Sequence, residues 1–216
     1  MDSSTLYGIL IGYFLGSIPF TFITAKLVKD IDLRQVGSRN VGGTNAIHNI
    51  GLGWGLTAGI MDVVKGLLAV IIAQKIGAAF PQNLWAGLAA IAGHNWPVWL
   101  KFKGGKGIST TLGLSAWIAF PETLLGFLVG LGIYFMTKKN VIIATLIGLA
   151  TIAGLMSIFD LPPEAPLVIL GSFLIMVIAT LPNIINTIRS PEGVRGYFKN
   201  PAKDYEEQEH PEPREQ

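Results

Sequence analysis

Apolar stretches of near membrane length alternate with short polar segments along most of the chain. The hydrocarbon core of a bilayer is about 30 Å thick and is crossed by roughly 20 helical residues. The apolar pattern predicts helical spans at residues 6–28, 51–76, 84–100, 122–136, 141–159 and 166–188. Residues 108–120 are also apolar but form only about half a span, a length that re-entrant and interfacial segments share. The pattern therefore predicts an all-α, polytopic integral membrane protein with six or seven crossings.

The positions of lysine and arginine favour seven crossings, because cytoplasmic loops are enriched in both residues. With seven crossings and an outer N-terminus, all but two of the 16 lysines and arginines lie in cytoplasmic segments; the exceptions are Lys65, inside a span, and Lys75. If residues 108–120 did not cross, this alternation would fail in the second half of the chain. We therefore predict about seven transmembrane helices and a cytoplasmic C-terminus. Residues 1–193 form the predicted transmembrane domain, and residues 194–216 a cytoplasmic, partly disordered tail.

Composition supports the same class. Hydrophobic residues make up 50% of the chain and charged residues only 14%, against about 25% charged in soluble domains. The absence of cysteine excludes disulfides, thiolate nucleophiles and cysteine-ligated metals. His48, His94 and His210 lack the spacing of a zinc site, so we expect neither a metal nor a cofactor. A net charge of +2 gives no indication of a nucleic-acid partner.

Residues 37–45, with the sequence GSRNVGGTN, form the first candidate site. Closely spaced glycines allow the backbone to approach a ligand, and consecutive amides in such turns bind anions. The segment adds side-chain donors and nearby positive charge from Arg34, Ser38, Arg39, Asn40, Thr44 and Asn45. The alternative is a flexible polar linker between helices. We favour phosphate binding, because the segment is long and polar in a chain that is otherwise mostly apolar.

Residues 101–110, with the sequence KFKGGKGIST, form the second candidate site. Glycines expose the backbone, lysines supply charge, and a predicted helix begins directly afterwards, so that its first amides point at the loop. The expected phosphate ligands are Lys103, Gly104, Gly105, Lys106, Gly107 and Ser109. The alternative is a basic loop beside anionic lipid, which explains the lysines but not the interleaved glycines and the hydroxyl that follows.

Ionisable residues within the spans form a third group. Asp62 and Lys65 share a helix face, and such residues in membranes usually pair and face the protein interior. They are equally compatible with a structural ion pair and with a site role. His94, just before the second loop, is a candidate base, orienting donor or phosphate contact. At the inner end of the last span, one helix face carries Asn183, Asn186 and Arg189.

Together these motifs resemble those of the bacterial acyl-phosphate-dependent glycerol-3-phosphate acyltransferases, the PlsY family. The resemblance covers residues 6–193 and rests on residues 16–19 (GSIP), 32–45, 62–66 (DVVKG), 93–98 (GHNWPV) and 102–107 (FKGGKG). The chain departs from the family in carrying Arg39 for glycine, Gly43 for alanine, His48 for arginine and Pro182-Asn183 for Arg-His, whereas Asn186, Arg189 and Gly193 are retained. The replaced arginine and histidine are residues that the family uses near the acceptor phosphate.

The resemblance implies transfer of an acyl group from acyl phosphate to the 1-hydroxyl of glycerol 3-phosphate, in phospholipid biosynthesis. It implies a multi-pass protein of the bacterial inner membrane with a cytoplasmic active site, and the enzyme that forms acyl phosphate as a candidate protein partner. The expected catalytic residues are Ser38, His94 and Asn186. The expected substrate-binding residues are Arg34, Asn40, Thr44, Asn45, His48, Lys65, Lys103, Gly104, Gly105, Lys106, Gly107, Ser109 and Arg189.

Three other functions compete with this one. His48 and Asn183 motivate an acyltransferase for a different phosphate-bearing acceptor, or a protein that binds lipid phosphate without catalysis. Asp62 and Lys65 within a span motivate a small transporter. Transporters usually show paired broken helices in two related halves, and residues 108–120 have no counterpart elsewhere in the sequence. This last function is therefore disfavoured.

Overall fold

The protein is helical throughout the part of the chain that the structure describes. The computed structural model describes residues 2–137 and 140–189, with the backbone alone for residues 183, 184 and 186–189. The α-helices of this part are α1 (Ser3–Ser17), α2 (Phe20–Lys29), α3 (Gly43–Ile50), α4 (Leu52–Lys75), α5 (Leu84–Asn95), α6 (Ile108–Ile118), α7 (Phe120–Met136), α8 (Val141–Ile158) and α9 (Glu164–Arg189). A 3-10 turn, Val98–Leu100, follows α5. The predicted all-α class is confirmed for these residues.

Several helices have the length and apolar character of membrane spans. Among the described residues, four stretches are long and apolar enough to cross a bilayer: Ser3–Lys29, Leu52–Lys75, Val141–Ile158 and Glu164–Pro182. Ile108–Ile118 and Phe120–Met136 are apolar but shorter. A chain with this many apolar helices is a multi-pass membrane protein. The count of seven crossings and the orientation of the termini stay predictions.

Prolines divide two of the predicted spans. The span predicted at residues 6–28 consists of α1 and α2, because Ile18 is extended (φ −65°, ψ 113°). The ring of Pro19 disfavours the helical region for the residue before it. The span predicted at residues 84–100 is likewise interrupted before Pro97, and only the 3-10 turn continues it. Both interruptions bring backbone carbonyls and polar loops to the same end of the helix bundle.

Helix α3 was not predicted from the sequence pattern. It begins at Gly43 and is too polar and too short to span a membrane. Its apolar residues Ala46 and Ile50 are buried against Ala25 and Leu33, and its backbone lies close to α4, where Gly55 leaves room for Ile47. The first loop is therefore anchored to the helix bundle rather than suspended beside it.

Glycines allow α1 and α5 to approach closely. A Cβ atom at Gly12 would collide with the backbone of Ala86, and one at Gly16 with the backbone of Ala90. Small residues at such spacing are the usual means by which membrane helices pack at short distance. Because α4 contacts α1, α5 and α6, these four helices form the frame that holds both glycine-rich loops.

Candidate functional site

The first glycine-rich loop is shaped by Asn45, whose side chain is only 1% exposed. Its Nδ2 atom donates to the carbonyl oxygens of Leu33, Val36 and Asn40, at 3.1, 3.1 and 3.0 Å. Its Oδ1 atom accepts from the amide of Ser38 at 3.2 Å. Gly37 has φ +54°, and a Cβ there would collide with the same oxygen. Asn45 therefore folds the loop, since its side chain bonds to four backbone groups and to Asn49 Nδ2, which donates to Oδ1 at 3.0 Å.

Other polar side chains of this loop remain available to a ligand. Those of Ser38, Asn40 and Thr44 are partly buried, and within the described residues none of them makes a side-chain hydrogen bond. Arg39 is exposed and has φ +56°, a conformation that glycine adopts more easily. The loop thus combines a backbone fixed by Asn45 with a set of unoccupied donors.

Arg34 already has a partner inside the protein. Its Nε and Nη2 atoms donate to the carboxylate of Asp32 at 2.9 and 2.7 Å, and its guanidinium lies 5.1 Å from the ring centroid of Phe22. The hydrogen bonds from Arg34 lower the pKa of Asp32 below its ordinary value, and the same bonds raise the pKa of Arg34. Arg34 stays charged, but Asp32 neutralises it, so the pair offers little net positive charge to a phosphate.

The second glycine-rich loop folds back onto the end of α5. The amide of Gly104 donates to the carbonyl of Asn95, and the amide of Gly105 to the carbonyl of His94, both at 3.1 Å. A Cβ at Gly104 or at Gly105 would collide with His94. These two glycines are therefore required by close packing against α5, whereas the sequence pattern indicated a backbone exposed to a ligand.

The N-terminus of α6 completes this loop. Gly107 caps the helix with φ +81°, and the first amides of α6 have no carbonyl partner within the helix. Such a helix end attracts anions. Lys103 is exposed, and Lys106 and Ser109 are partly exposed. The side-chain amide of Asn95 is buried without a hydrogen-bond partner among the described residues, and its Oδ1 lies 2.7 Å from where a Cβ of Gly107 would stand.

A buried charge cluster of Asp62, Lys65 and His94 lies beneath the loops. The Nζ atom of Lys65 lies 2.8 Å from Asp62 Oδ1 and donates to the carbonyl of Ile18 at 2.8 Å. The same atom is 5.8 Å from the ring centroid of Phe20. His94 Nδ1 lies 3.6 Å from Asp62 Oδ1. The cluster thus links α4 and α5 to the break between α1 and α2.

The two loops meet at Gly105. A Cβ atom on this residue would collide with His94 Nε2 and would also lie 2.5 Å from the carbonyl oxygen of Val41. Val41 belongs to the first loop, and its carbonyl also accepts from Thr21 Oγ1 at 3.3 Å. The arrangement brings two anion-suited loops into contact above one buried charge cluster.

An apolar groove lies between the break of α1 and α2 and the 3-10 turn that follows α5. It has a volume of about 410 Å³ and is lined by Ile18, Pro19, Phe22, Ile23, Trp99 and Leu100. One wall is the break between α1 and α2, and the other directly precedes the lysines of the second loop. A hydrocarbon chain attached to a phosphate-bearing head group would find an apolar surface and positive charge next to each other.

Comparison with known proteins decides the family. The model of a family described as glycerol-3-phosphate acyltransferase matches residues 6–190. The chain belongs to this acyltransferase family. The glycerol-3-phosphate acyltransferase of Thermosipho melanesiensis is 38% identical over 201 residues, which cover 92% of this chain and 98% of the relative.

Other similarities differ in how much they cover. The glycerol-3-phosphate acyltransferase of Synechococcus sp. strain CC9902 is 46% identical over 121 residues, but the match spans only 60% of that relative and 56% of this chain. Crystallised PlsY (YgiH), an integral membrane glycerol 3-phosphate acyltransferase, superposes in its glycerol 3-phosphate form with a TM-score of 0.76 at 32% identity. That match covers 85% of this chain and 92% of PlsY. The family predicted from the motifs is confirmed.

Within this acyltransferase fold, the predicted site residues fall into distinct groups. The two loops that carry most of them come into contact at Gly105 and Val41, whereas Asn45 and Lys65 face protein partners. His48 lies exposed in the last turn of α3. Asn186 and Arg189 belong to α9, but their side chains, like the tail at residues 194–216, lie outside the described residues. Their predicted roles stay predictions.

The sequence-based list of site residues omits two that the structure brings to the loops. Asp62 stood out in the sequence as an acid three positions before a lysine within a span, but its contact with His94 depends on how α4 and α5 pack. Asn95 follows His94 directly and had no signal of its own. Only the fold of residues 104–107 back onto α5 places its amide beside Gly107.

Proposed function

We propose that this protein transfers an acyl group from an acyl phosphate to the 1-hydroxyl of glycerol 3-phosphate. The products are 1-acyl-glycerol 3-phosphate, which is lysophosphatidic acid, and inorganic phosphate. The meeting of two anion-suited loops at Gly105 carries the proposal, because both substrates bear a phosphate group. The similarity to PlsY, solved in a glycerol 3-phosphate form and in a lysophosphatidic acid form, supports it.

The first loop would bind the acceptor. Ser38, Asn40 and Thr44 carry hydrogen-bonding groups that no described residue occupies, and glycerol 3-phosphate offers two hydroxyls and a phosphate to receive them. His48, Asn186 and Arg189 would contribute from the ends of α3 and α9. Asn45 would contribute indirectly, by holding the loop backbone in place.

The second loop would bind the donor. The amides at the start of α6, together with Lys103, Lys106 and Ser109, suit the phosphate of an acyl phosphate. The apolar groove beside Trp99 and Leu100 would receive its hydrocarbon chain. With its phosphate at the start of α6 and its hydrocarbon chain in the groove, the donor would have its carbonyl carbon near Gly105, between the donor loop and the acceptor loop.

The reaction requires no protein nucleophile, since an acyl phosphate is already activated. The oxygen of the 1-hydroxyl attacks the acyl carbonyl carbon, and the bond from that carbon to the phosphate oxygen breaks. The electron pair leaves with the phosphate, which also takes up the proton of the hydroxyl, either directly or through a side chain such as Ser38. Catalysis would consist of positioning and of stabilising the negative charge on the leaving phosphate.

The predicted orientation puts both loops on the cytoplasmic side of the bacterial inner membrane. Glycerol 3-phosphate is water-soluble and would arrive from the cytoplasm, whereas an acyl phosphate would arrive within the bilayer. The enzyme that forms the acyl phosphate is therefore a candidate protein partner, because it supplies this substrate to the same membrane.

The purified protein in lipid nanodiscs, incubated with an acyl phosphate and glycerol 3-phosphate, tests the proposal. We expect phosphate and lysophosphatidic acid to form in equal amounts, and phosphate release to be slow without the acceptor. Phosphate release that does not depend on the acceptor would reject the proposal. If glycerol 3-phosphate is inert and another phosphate-bearing alcohol is acylated, the chain is an acyltransferase with a different acceptor.

Replacing a loop lysine tests the site itself. We expect Lys106→Ala to lower kcat by about 10²-fold or more, the usual loss when a preorganised charge at a leaving group is removed. Lys75→Ala is the matched control, because Lys75 lies exposed at the opposite end of α4. Equal activities of the two variants would contradict the assignment of the donor loop.

A further inference from the structure

The buried charge cluster is closed to substrates. Asp62 and Lys65 are each 1% exposed and His94 is 7% exposed. The ammonium of Lys65 is surrounded by the carboxylate of Asp62, the carbonyl of Ile18 and the ring of Phe20. These side chains can therefore affect a reaction only through the groups that they touch.

His94 acts as a spacer between the cluster and the loops. Its Nδ1 atom faces Asp62 Oδ1 at 3.6 Å, and its Nε2 atom packs against Gly105 at the place where Gly105 also approaches the carbonyl of Val41. The imidazole, Gly105 and the carbonyl of Val41 thus meet at one point of close packing. Any rotation of the imidazole would change the separation of the two loops.

Stability alone does not account for charged residues at this place. Ionisable groups within a span are costly, and apolar side chains of similar volume often replace a buried ion pair without loss of stability. A carboxylate anchored by Lys65 nevertheless has one property that an apolar side chain lacks. It places a negative charge 3.6 Å from His94 Nδ1, which favours the ring orientation that keeps Nδ1 towards Asp62.

We propose that Asp62, Lys65 and His94 are positioning residues. They hold the donor loop and the acceptor loop in a fixed relative position through Gly105, without touching either substrate. Lys65 also connects the cluster to the break between α1 and α2, because its Nζ atom donates to the carbonyl of Ile18. The inference rests on the proposed acyl transfer for its kinetic consequences, but the geometric part concerns the loops alone.

The kinetic consequence is a selective loss of turnover. If each loop binds its own substrate, a shift of one loop against the other changes KM little but separates the reacting atoms. A misplacement of about 1 Å can lower the rate about 10²-fold. We therefore expect variants of the cluster to lower kcat per folded molecule by at least about tenfold, with both KM values within about threefold of the original.

Two conservative replacements of His94 separate its two contacts. The amide nitrogen of glutamine can reach the place of Nε2, next to Gly105, whereas that of asparagine reaches only the place of Nδ1, next to Asp62. We expect His94→Gln to retain clearly more kcat than His94→Asn. Equal kcat values in these two variants, or kcat values equal to that of the unmodified protein, would overturn the spacer role.

A paired replacement separates positioning from stability. In Asp62→Leu/Lys65→Met both charges are absent and the volume is largely kept, so we expect the melting temperature to stay close to the original while kcat remains at least about tenfold lower. Met156→Ala, in the core between α8 and α9, is the control that lowers the melting temperature and leaves kcat per folded molecule unchanged. Full turnover in the paired variant would overturn the inference.

Hydrogen exchange tests the geometry independently of activity. In the paired variant we expect faster amide exchange at residues 37–45 and 104–107, although neither segment is mutated, and unchanged exchange in α8. Exchange that rises only in α4 and α5 would overturn the positioning role. If the unmodified protein is inactive with acyl phosphate and every acceptor, the proposed function fails, and the exchange result still decides the inference.

Discussion

Single residues decide how the loops are shaped, and their types alone do not tell shaping from binding. Asn45 and Arg34 were both expected to contact substrate, because amides and guanidinium groups suit phosphate. In the structure Asn45 is directed at loop carbonyls and Arg34 at Asp32. Both groups would have the same sequence signature in either role, since only the path of the surrounding backbone determines which partner is near.

Asn45→Asp tests the shaping role. The replacement would direct carboxylate oxygens at carbonyl oxygens that now receive hydrogen bonds from Nδ2. Because buried groups would lose their partners, we expect the free energy of unfolding to fall by about 1–3 kcal/mol or more, with a matching loss of activity. Thermal unfolding in detergent measures the change.

Asn140→Asp is the control for that substitution. Asn140 caps α8 by accepting from the amides of Ile142 and Ile143, both at 3.1 Å, and aspartate fills this role equally well. We expect the free energy of unfolding of Asn140→Asp to stay within about 0.5 kcal/mol of that of the original protein. Equal destabilisation by both substitutions would mean that Asn45 has no special place in the loop.

The pair of Asp32 and Arg34 predicts a dependence of stability on pH. Hydrogen bonds from Arg34 lower the pKa of Asp32 in the folded state, so the folded protein binds fewer protons at this group than the unfolded chain. The stabilisation is therefore present above the unfolded-state pKa of about 3.9 and is lost as the pH falls through the folded-state pKa. We expect Asp32→Asn to cost about 0.5–1 kcal/mol near neutral pH.

The same comparison in acid completes the test. The difference in unfolding free energy between the original protein and Asp32→Asn should close as the pH falls below the folded-state pKa, because both side chains are then neutral. Unfolding curves recorded across this pH range measure it. A difference that is independent of pH would show that the loss comes from packing rather than from the ion pair.

At the scale of elements, small residues and prolines determine how the helices meet. Hydropathy located most of the helices, but it joined α1 to α2 and extended α5 through Pro97. The prolines were visible in the sequence, and the residue before each is biased away from helix. Helix α3 was missed because its apolar side consists of few residues, which are buried only when packed on α2 and the first loop.

Gly16→Ala tests the packing of α1 on α5. A Cβ there would collide with the backbone of Ala90, which cannot move as a side chain can, so we expect a loss of about 1–3 kcal/mol in unfolding free energy. Gly154→Ala is the control, since Gly154 lies within α8 with open space around it. That substitution should leave stability unchanged or raise it by up to about 1 kcal/mol. Equal effects of the two would reject close packing at Gly16.

At the scale of the whole molecule, the number of crossings determines which side of the membrane each later loop faces. The charge distribution predicts seven, with α6 and the loop after it reaching the outer face. With six crossings the side of every later loop would be reversed. The loop between α8 and α9, which contains Asp160, therefore distinguishes the two topologies.

The chain has no cysteine, so a single introduced cysteine reports its own location. We expect Asp160→Cys to react with a membrane-impermeant maleimide in intact cells, because seven crossings place it outside. Gln35→Cys, exposed in the first loop, should react only after the membrane is opened. Labelling of position 160 only after opening would support six crossings and place residues 108–120 on one side.

The sequence by itself determined the class of the protein, the positions of most helices and the two loops that carry its candidate chemistry. These features are local, because hydropathy over one helix length and glycine spacing within one loop both depend on residues that are close together in the sequence. The tertiary structure decided which residues face a ligand. His94, Gly105 and Val41 meet next to the buried pair of Asp62 and Lys65, and these residues come from distant segments of the chain. Such contacts depend on helix packing, which no local pattern specifies.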